Sequence, residues 1–255
     1  MTSPWLYRGV QVGVLALLLV LWWYVTRQGP SGPLVSPILL PSMWASMVEF
    51  WKVLSTGAFW PDLRVTLSEL AAAFAIAATL GCSIGYAVSR TPYTIRVFDP
   101  LFAGIYSIPA ILLFPLYVLF FGLGEGSKIA IGATIAFFPV VLNTISGFAY
   151  VDKVYITAAR SMGASQVQMF WSVMFPAAFP VVLTGLRMGF IIAFLSILGS
   201  ETIASLAGLG HRIVTYAESM DPAKMFAYIF FAIGISFMLN ICVSTLEARV
   251  KRGHA

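Results

Sequence analysis

Charged residues are scarce in this sequence. Only 10% of its 255 residues are Asp, Glu, Lys or Arg, whereas a soluble domain usually has about 25% because most of its surface faces water. Hydrophobic residues make up 60% of the chain and aromatic residues 15%, far more than an intrinsically disordered chain contains. The composition therefore excludes an ordinary cytoplasmic enzyme and a disordered chain, and it indicates an integral membrane protein.

Residues that form disulfides or bind metals are scarce as well. The two cysteines, Cys82 and Cys242, both lie within apolar runs, where a buried free thiol is the usual state. The two histidines, His211 and His254, are far apart, and neither has a cysteine or a carboxylate at the spacing of a metal ligand. We therefore predict neither a disulfide nor a metal site.

Catalytic motifs are also lacking. H-E-x-x-H does not occur, and no pair of acidic residues lies deep in an apolar run, as an intramembrane protease would require. The one Gly-rich run, from Gly122 to Lys128, has its lysine after Ser127, whereas a phosphate-binding loop has the lysine before Ser or Thr and lies between a strand and a helix. We predict a tight turn between helices there, no catalytic residue, and no cofactor or nucleotide bound by this chain.

Six apolar runs are long enough to cross a bilayer, and each begins directly after a charged residue, a Gly or a Pro. They cover residues 10–25, 70–88, 101–121, 129–149, 181–199 and 225–243. The first run has no signal-peptide cleavage site and ends in Trp22, Trp23 and Tyr24, which is typical of a retained helix with an interfacial aromatic belt. We predict an all-α integral membrane protein in which residues 1–255 form a single domain.

Basic residues predict the orientation of the spans. Six spans place both termini on one side, and that side holds nine Lys and Arg residues against six on the other. Because basic residues concentrate on the cytoplasmic side, we expect both termini in the cytoplasm. The net charge of +5 then reflects topology and contact with anionic lipid headgroups, and we predict no binding to nucleic acid.

Two segments outside the spans are long. In the first, apolar residues recur at helical spacing between Ser42 and Leu54, which predicts an amphipathic helix at the outer interface or against the bundle. The second, residues 150–180, lies on the predicted cytoplasmic side, and we refer to it as the cytoplasmic loop. Neither segment has the length of a separate soluble domain.

The cytoplasmic loop is predicted to form two short helices. Asp152 is a suitable N-cap for the first, which ends near Met162, and Gly163 is free to adopt the left-handed conformation that follows many helices. Ser165 and the Gln three residues later fit a capping box that starts the second helix. Pro176 is expected to help end that helix.

The side chains of the cytoplasmic loop are of two kinds. Small residues near the turn, Ala158, Ala159, Gly163 and Ala164, allow another surface to approach closely. Large residues, Met169, Phe170 and Trp171, are expected to anchor the loop in the bundle. The alternative interpretation, which applies to any Ala-rich segment, is a solvated loop with a helical turn. The pattern of the whole chain is needed to choose between such a loop and a surface that binds a partner.

That wider pattern resembles the ABC importer permeases. Their EAA loop has Glu-Ala-Ala, three further residues, a Gly, and later an apolar-x-apolar-Pro ending, and Thr157-Ala158-Ala159, Gly163 and Val173-Met174-Phe175-Pro176 occupy those places here. Other segments, among them Leu39-Leu40-Pro41-Ser42, Ser107-Ile108-Pro109 and Gly208-Leu209-Gly210, are similar to the nitrate, sulfonate and taurine type of permease. The Glu of the family motif is replaced by Thr157, so the contacts of that carboxylate are not carried over.

The resemblance implies a fold, an assembly and a site. The fold is a type I ABC importer permease bundle with about six transmembrane helices and a cytoplasmic coupling helix. The assembly has a second permease subunit in a homodimer, two cytoplasmic ATP-binding subunits that bind ATP and Mg²⁺, and an external solute-binding protein, in a bacterial inner membrane. The ATPase-coupling residues are Thr157, Ala158, Ala159, Arg160, Gly163, Ala164 and Ser165. The solute is a small anion such as a sulfonate, taurine, nitrate or an aromatic acid.

Four polar residues in or beside the spans are candidates for the translocation pathway or its gate: Ser107, Asn143, Arg187 and Glu201. Arg187 either extends to lipid headgroups or lines a vestibule that attracts an anion. Asn143 either satisfies a carbonyl freed by Pro139 or faces the pathway, and Ser107 beside Pro109 has the same two interpretations. Glu201 either pairs with a cation or caps a helix, or it contacts the solute.

A secondary transporter or a channel, acting without an ATPase, is the alternative function. Such a protein is expected to have intramembrane carboxylates that couple an ion, or an inverted repeat. Neither is evident in the sequence, and catalytic groups for a membrane enzyme are lacking. The leading prediction is therefore the transmembrane subunit of an ATP-driven importer that works by alternating access.

Overall fold

The chain folds as helices joined by short turns. The computed structural model describes residues 4–27 and 34–252, so His254 lies outside the described residues, and within these ranges it contains no strand. The helices are α1 (Pro4–Thr26), α2 (Met43–Thr56), α3 (Phe59–Ser89), α4 (Pro92–Tyr106), α5 (Phe114–Phe121), α6 (Glu125–Ala149), α7 (Lys153–Ser161), α8 (Gln166–Met169), α9 (Phe175–Ile203), α10 (Leu209–Glu218) and α11 (Pro222–Arg252). A 3₁₀ turn, Ala110–Leu113, precedes α5, and a π turn, Phe170–Met174, joins α8 to α9. The predicted all-α fold is confirmed.

Up to six segments of the described chain can cross a membrane. Five are long and apolar enough by themselves: α1, α3, α6, the helical segment from Gln166 to Ile203, and α11 as far as Thr245. The sixth consists of α4 together with the residues from Ala110 to Phe121, whose axes meet at 74°. The predicted number of spans is reached when this bent pair is taken as one crossing.

The structure differs from the sequence prediction in the third span. A continuous helix is predicted over residues 101–121, but the helix is broken there. The helix α4 ends at Tyr106, and Ser107 is its C-cap. Pro109 has no N–H group to continue the helical ladder, and the residue before a proline is disfavoured in the helical region. These two effects account for the interruption, after which the chain restarts as the 3₁₀ turn and α5.

The core of the bundle is formed by α3, α6 and α9. Val140 of α6 is fully buried between the other two helices. A Cβ at Gly81 of α3 would lie 2.7 Å from Cγ1 of Val140, and a Cβ at Gly189 of α9 would lie 2.7 Å from its Cγ2. Both distances are too short for any side chain, so two glycines allow these helices to pack backbone to backbone against one valine.

The amphipathic helix predicted between Ser42 and Leu54 is α2. The hydroxyl of Ser42 accepts a hydrogen bond of 3.2 Å from Ala45 N and caps the helix. Its Phe50 ring stacks on Phe231 of α11 with centroids 4.2 Å apart. The helix therefore packs against the bundle, which selects one of the two positions that its sequence allows.

The helix that begins after the cytoplasmic turn does not end at Pro176. The chain is helical from Gln166 to Ile203, and Pro176 is in the first turn of α9, directly after the π turn. The prediction that this proline helps to end the helix is wrong. A proline in a first turn has no intrahelical N–H bond to lose, and the wider hydrogen-bond pattern of the π turn lets the helix continue.

Candidate functional site

The cytoplasmic loop forms the two predicted short helices. Asp152 Oδ1 accepts a hydrogen bond of 2.9 Å from Val154 N at the start of α7. At the start of α8, Ser165 Oγ accepts from Gln168 N at 3.3 Å, and Gln168 Oε1 accepts from Ser165 N at 2.9 Å. This reciprocal pair is a capping box, so each of the two helices has a local side-chain cap at its start.

Gly163 makes the turn between these helices. Its φ of +77° lies in the left-handed region, which favours glycine. Two backbone hydrogen bonds close the end of α7: Gly163 N donates to Arg160 O at 3.0 Å, and Ala164 N donates to Ala159 O at 3.1 Å. This pair of bonds is the Schellman pattern, and no atom lies within 4 Å of where a Cβ of Gly163 would be.

The predicted ATPase-coupling residues are mostly on the surface. Thr157, Ala158, Arg160, Gly163 and Ser165 are exposed. Ala164 is half-buried, and Ala159 is only 3% exposed because it faces its own chain. In place of the family glutamate, Thr157 donates from Oγ1 to Lys153 O at 2.8 Å within the helix, so its hydroxyl makes a local bond.

Two of the three predicted anchors of the loop pack into the bundle, where Met169 is buried and Phe170 is half-buried. Met169 is 3% exposed, and the ring of Phe170 packs against Tyr86 and Phe148 with centroids 4.9 and 6.0 Å away. Trp171 is 61% exposed, so it does not anchor the loop as expected. Of these three residues, only Met169 and Phe170 therefore hold the loop against the bundle.

A groove of about 520 Å³ opens beside α7. It is lined by Tyr155, Ala158, Ala159, Met162, Ser172, Val173, Pro176 and Ala177. Two of its lining side chains, Tyr155 and Met162, are 61% and 81% exposed. An exposed apolar surface of this kind is typical of an interaction site.

Ser107 lies at the break of the third span. It is exposed, and its Oγ donates to Gly104 O at 2.7 Å. Within the described chain, no backbone hydrogen bond is accepted by the carbonyls of Ser107 and Ile108. The helix α4 has no buried residue, and in α5 Phe114 alone is buried. This broken segment therefore lies on the outside of the bundle, and no other described part of the chain packs over it.

Asn143 lies between α6 and α9. Its Nδ2 donates to Pro139 O at 2.8 Å, and its Cβ would be 2.5 Å from a Cβ at Gly185. The carbonyl that a proline frees is the one four residues earlier, so this bond is made to a different group from the one expected. Its contacts are those of a helix-packing residue.

Arg187 of α9 reaches α11. Its Nη2 donates to Asn240 Oδ1 at 3.2 Å, and the residue is half-buried. It is fourteen residues from Glu201 on the same helix, which is about 21 Å along the axis. The four candidate pathway residues therefore occupy separate places, and the structure does not bring them together.

Glu201 belongs to a buried polar cluster at the end of the bundle opposite the cytoplasmic loop. The cluster consists of Asp62, Thr66, Glu69, Lys128, Glu201, Ser205 and Arg212. Glu201 Oε1 accepts from Thr66 Oγ1 at 2.7 Å, and its Oε2 accepts from Gly210 N at 2.7 Å. A Cβ at Gly208, whose φ is +107°, would overlap the Glu201 carboxylate, which explains the glycine there.

A buried ion pair lies at the centre of this cluster. Lys128 Nζ is 3.0 Å from Glu69 Oε1, and their side chains are 3% and 0% exposed. Lys128 Nζ also donates to Ser205 Oγ at 2.7 Å. The sequence predicts Lys128 in a turn between helices and does not indicate this pair, because Glu69 and Lys128 each stand one position before an apolar run.

A second ion pair, between Arg212 and Asp62, lies at the edge of the cluster. Arg212 Nε donates to Asp62 Oδ2 at 2.8 Å, and Asp62 is 2% exposed. The hydrogen bond from Arg212 to this carboxylate raises the pKa of Arg212 above its ordinary value, so the guanidinium stays charged. The cluster thereby ties the turn before α10 to α3, α6 and α9.

Comparison with known proteins gives consistent matches over most of the chain. A family model described as "Binding-protein-dependent transport system inner membrane component" matches residues 76–252. The chain is 30% identical over 250 residues to the taurine transport system permease protein TauC of Escherichia coli (strain K12), which covers 96% of this chain and 90% of that protein. It is 27% identical over 240 residues to the nitrate import permease protein NrtB of Synechocystis sp., with coverage of 92% and 86%.

Solved structures match at the level of the fold. The MetNI methionine ABC transporter in an inward-facing conformation aligns with a TM-score of 0.57 at 18% identity, covering 82% of this chain and 98% of that chain. An amino acid ABC transporter with histidines aligns with a TM-score of 0.61 at 19% identity, with coverage of 81% and 96%.

Proposed function

Because this chain belongs to the family of binding-protein-dependent transport system inner membrane components and has the type I importer permease fold, we propose that it forms half of the translocation pathway of an ATP-driven importer. It is an ABC importer permease of the nitrate, sulfonate and taurine type. In our proposal an external protein delivers the solute, and two separate cytoplasmic subunits bind ATP and Mg²⁺. Both termini of this chain are then on the side of those subunits.

The observation that carries this proposal is the exposed helix pair of the cytoplasmic loop. The helix α7 presents Thr157, Ala158 and Arg160 to solvent, and the groove beside it is lined mainly by apolar side chains, of which Tyr155 and Met162 are exposed. Met169 and Phe170 hold the loop on the bundle from beneath. An ATP-binding subunit that contacts this surface can therefore move the bundle as well as the loop.

Short, capped helices suit a transmission role. Asp152 and the capping box at Ser165 satisfy the helix ends locally, so the loop keeps its shape while a partner pushes on it. The π turn connects it directly to α9. In the proposed mechanism, closure of two ATP-binding subunits around ATP displaces the two cytoplasmic loops, and the bundle changes between inward-open and outward-open states.

The pathway is proposed to lie between two copies of this chain, at the break of the third span. Irregular backbone at membrane depth is tolerated where protein buries it or where it lines a water-filled cavity. The carbonyls of Ser107 and Ile108 accept no backbone hydrogen bond in the described chain, and both residues are exposed. We therefore assign Ser107 to the pathway, and we assign Asn143, Arg187 and Glu201 to contacts between helices.

The proposed solute is a small anion. Relatives carry the names of taurine, aliphatic sulfonate and nitrate permeases, and these three solutes share an anionic oxygen-bearing group. The chain itself has a net charge of +5, which favours the approach of an anion. Uptake of taurine, an alkanesulfonate and nitrate by cells with and without this permease tests the solute class.

The partner assignment is tested at Gly163. Gly163→Trp places a large side chain on the proposed docking surface, and we expect it to abolish co-purification of the ATP-binding subunit and ATP-driven uptake. Gly122→Trp is the matched control, because Gly122 also has a positive φ of 78° and no atom within 4 Å of its Cβ position, but it lies at the opposite end of the bundle. Equal co-purification with both variants would refute a docking role for the loop.

A further inference from the structure

We propose that Glu69 and Glu201 form a proton-binding site, in which one proton is held between the two carboxylates inside the bundle. Glu69 is 0% exposed and Glu201 is 1% exposed. They come from α3 and α9, and Thr66, three residues before Glu69 on the same face of α3, donates to Glu201 Oε1 at 2.7 Å, which makes the two carboxylates neighbours. The site is separate from the cytoplasmic loop and from Ser107, so the inference does not depend on the function proposed for those residues.

The hydrogen bonds around the two carboxylates differ. Both oxygens of Glu201 accept a bond, one from Thr66 and one from Gly210. Among the described residues, neither oxygen of Glu69 accepts any hydrogen bond, and Lys128 contacts it only as an ion-pair partner while donating to Ser205. A buried acceptor without a donor is unfavourable.

A proton on Glu69 removes this defect at one of its two oxygens. A protonated carboxyl group has an O–H that donates, and the Glu201 carboxylate beside it is an acceptor. The O–H of Glu69 would then donate to an oxygen of Glu201, which already receives two other donors and so is well suited to carry the negative charge. The proton is therefore assigned to Glu69, with Glu201 as the charged member of the pair.

The charges that surround the pair lead to the same assignment. The described ionisable groups that face it or its immediate neighbours are Asp62, Glu125, Lys128, Arg212 and Tyr228. Asp62 and Arg212 neutralise each other, and Glu125 is exposed at the start of α6. Two carboxylates and one ammonium group remain, which leaves one uncompensated negative charge in a site without solvent contact.

An uncompensated charge inside a membrane-embedded bundle is costly. Two carboxylates that share a site usually share one proton, because both cannot carry a charge at short distance. With one proton, Glu69, Glu201 and Lys128 together are neutral. A bound proton thus accounts both for the burial of two carboxylates with a single ammonium group and for the unsatisfied oxygen of Glu69.

Loss of the proton is expected to loosen the end of the bundle that the cluster holds. Thr66, Glu201 and Lys128 bind the turn at residues 205–210. In the unfolded chain the two carboxyl groups are separate and ionised at neutral pH, so the folded state binds one proton more than the unfolded state. Stability is then present at lower pH and falls as pH rises through the titration of the pair, by up to about tenfold in the folding equilibrium constant per pH unit.

Infrared difference spectroscopy of the intact complex in lipid tests for the proton directly. The wild-type protein at neutral pH should show the carbonyl stretching band of a protonated carboxylic acid. The band should be absent in Glu69→Gln and in Glu201→Gln, and present in the control Glu49→Gln, whose carboxylate pairs with Lys52 at the surface. A wild-type protein without such a band, or one whose band persists in both test variants, overturns the proposal.

The pH dependence of unfolding provides a second test. Glutamine has the shape of a protonated carboxyl group, so Glu69→Gln should unfold at nearly the wild-type temperature at neutral pH and should resist alkaline pH better. Thermal unfolding measured between about pH 6 and pH 9, below the range in which lysine titrates, should decline in the wild type and stay level in Glu69→Gln. If both proteins lose stability in parallel over this range, the pair does not hold the proton.

Discussion

The hydroxyl of Thr66 donates a hydrogen bond of 2.7 Å to Oε1 of Glu201, and both residues are buried. The same hydroxyl accepts a bond of 3.0 Å from Leu209 N. One oxygen atom thus connects α3 to the end of α9 and to the start of α10. Without this hydroxyl, Leu209 N and one oxygen of Glu201 would each lose a buried partner, so the contact is expected to be important for stability.

Thr66→Val tests this contact. Valine has the shape of threonine but leaves Leu209 N without a partner and removes one donor from Glu201, so we expect the free energy of unfolding to fall by about 1–3 kcal/mol. Thermal or denaturant unfolding in detergent measures the change. Thr79→Val on the same helix is the control, since Thr79 is exposed and bonds only within α3; equal losses in both variants would contradict the proposed role.

Lys128→Met tests the buried ion pair. Removing one partner leaves an uncompensated charge in the interior, which typically costs about 3–5 kcal/mol. Lys52→Met provides the comparison, because Lys52 pairs with Glu49 while its own side chain is 62% exposed, and pairs of that kind contribute about 0–1 kcal/mol. The expected order of unfolding temperatures is Lys128→Met well below Lys52→Met. Addition of Glu201→Gln to Lys128→Met should recover part of the loss, and no recovery would argue against charge as the cause.

Gly189→Ala tests the close packing around Val140. The added Cβ would lie 2.7 Å from Val140 and 3.0 Å from Ala136 O, so we expect overpacking to cost about 1–3 kcal/mol. Gly199→Ala on the same helix has no atom within 4 Å of the added group, and there the higher helix propensity of alanine should raise stability by up to about 1 kcal/mol. Opposite signs in the two variants are the expected result, and a stabilised Gly189→Ala would contradict it.

Met162→Glu tests the groove beside α7 as an ATPase contact. A carboxylate on this exposed apolar surface should weaken binding of the ATP-binding subunit at least tenfold and lower ATP-driven uptake, while the unfolding temperature of the isolated permease changes little. Tyr150→Glu is the control, because Tyr150 is 87% exposed and does not line the groove. Pull-down of the ATP-binding subunit with each variant separates the two cases, and equal binding by both variants would rule out the groove.

Features that depend on neighbouring residues were predictable from the sequence. The apolar runs gave six spans, and Asp152, Gly163 and Ser165 indicated the helix ends of the cytoplasmic loop, because capping is a local interaction. Pro176 misled the prediction, since its effect depends on the π turn before it. A prediction from local sequence thus succeeds when the residues that make the interaction are close together in the chain.

The buried polar cluster could not be found in this way. Charged residues were taken as the boundaries of the spans, and Glu69, Lys128 and Glu201 therefore appeared to lie at the membrane surface. In the structure α3 begins at Phe59 and α6 at Glu125, so these groups lie inside the helices. Their partners come from segments far apart in the chain, and only the packed bundle shows that their charges meet.

The broken third span also has a consequence for how the protein is made. The helices α4 and α5 have 15 and 8 residues, about 22 and 12 Å in length, so neither alone crosses a hydrocarbon core of about 30 Å. Lipid cannot supply partners for the open carbonyls at Ser107 and Ile108. During membrane insertion the segment is therefore better accommodated as one continuous stretch, and we expect its bend to form at a late step of assembly, after α6, on which it packs, has been synthesised.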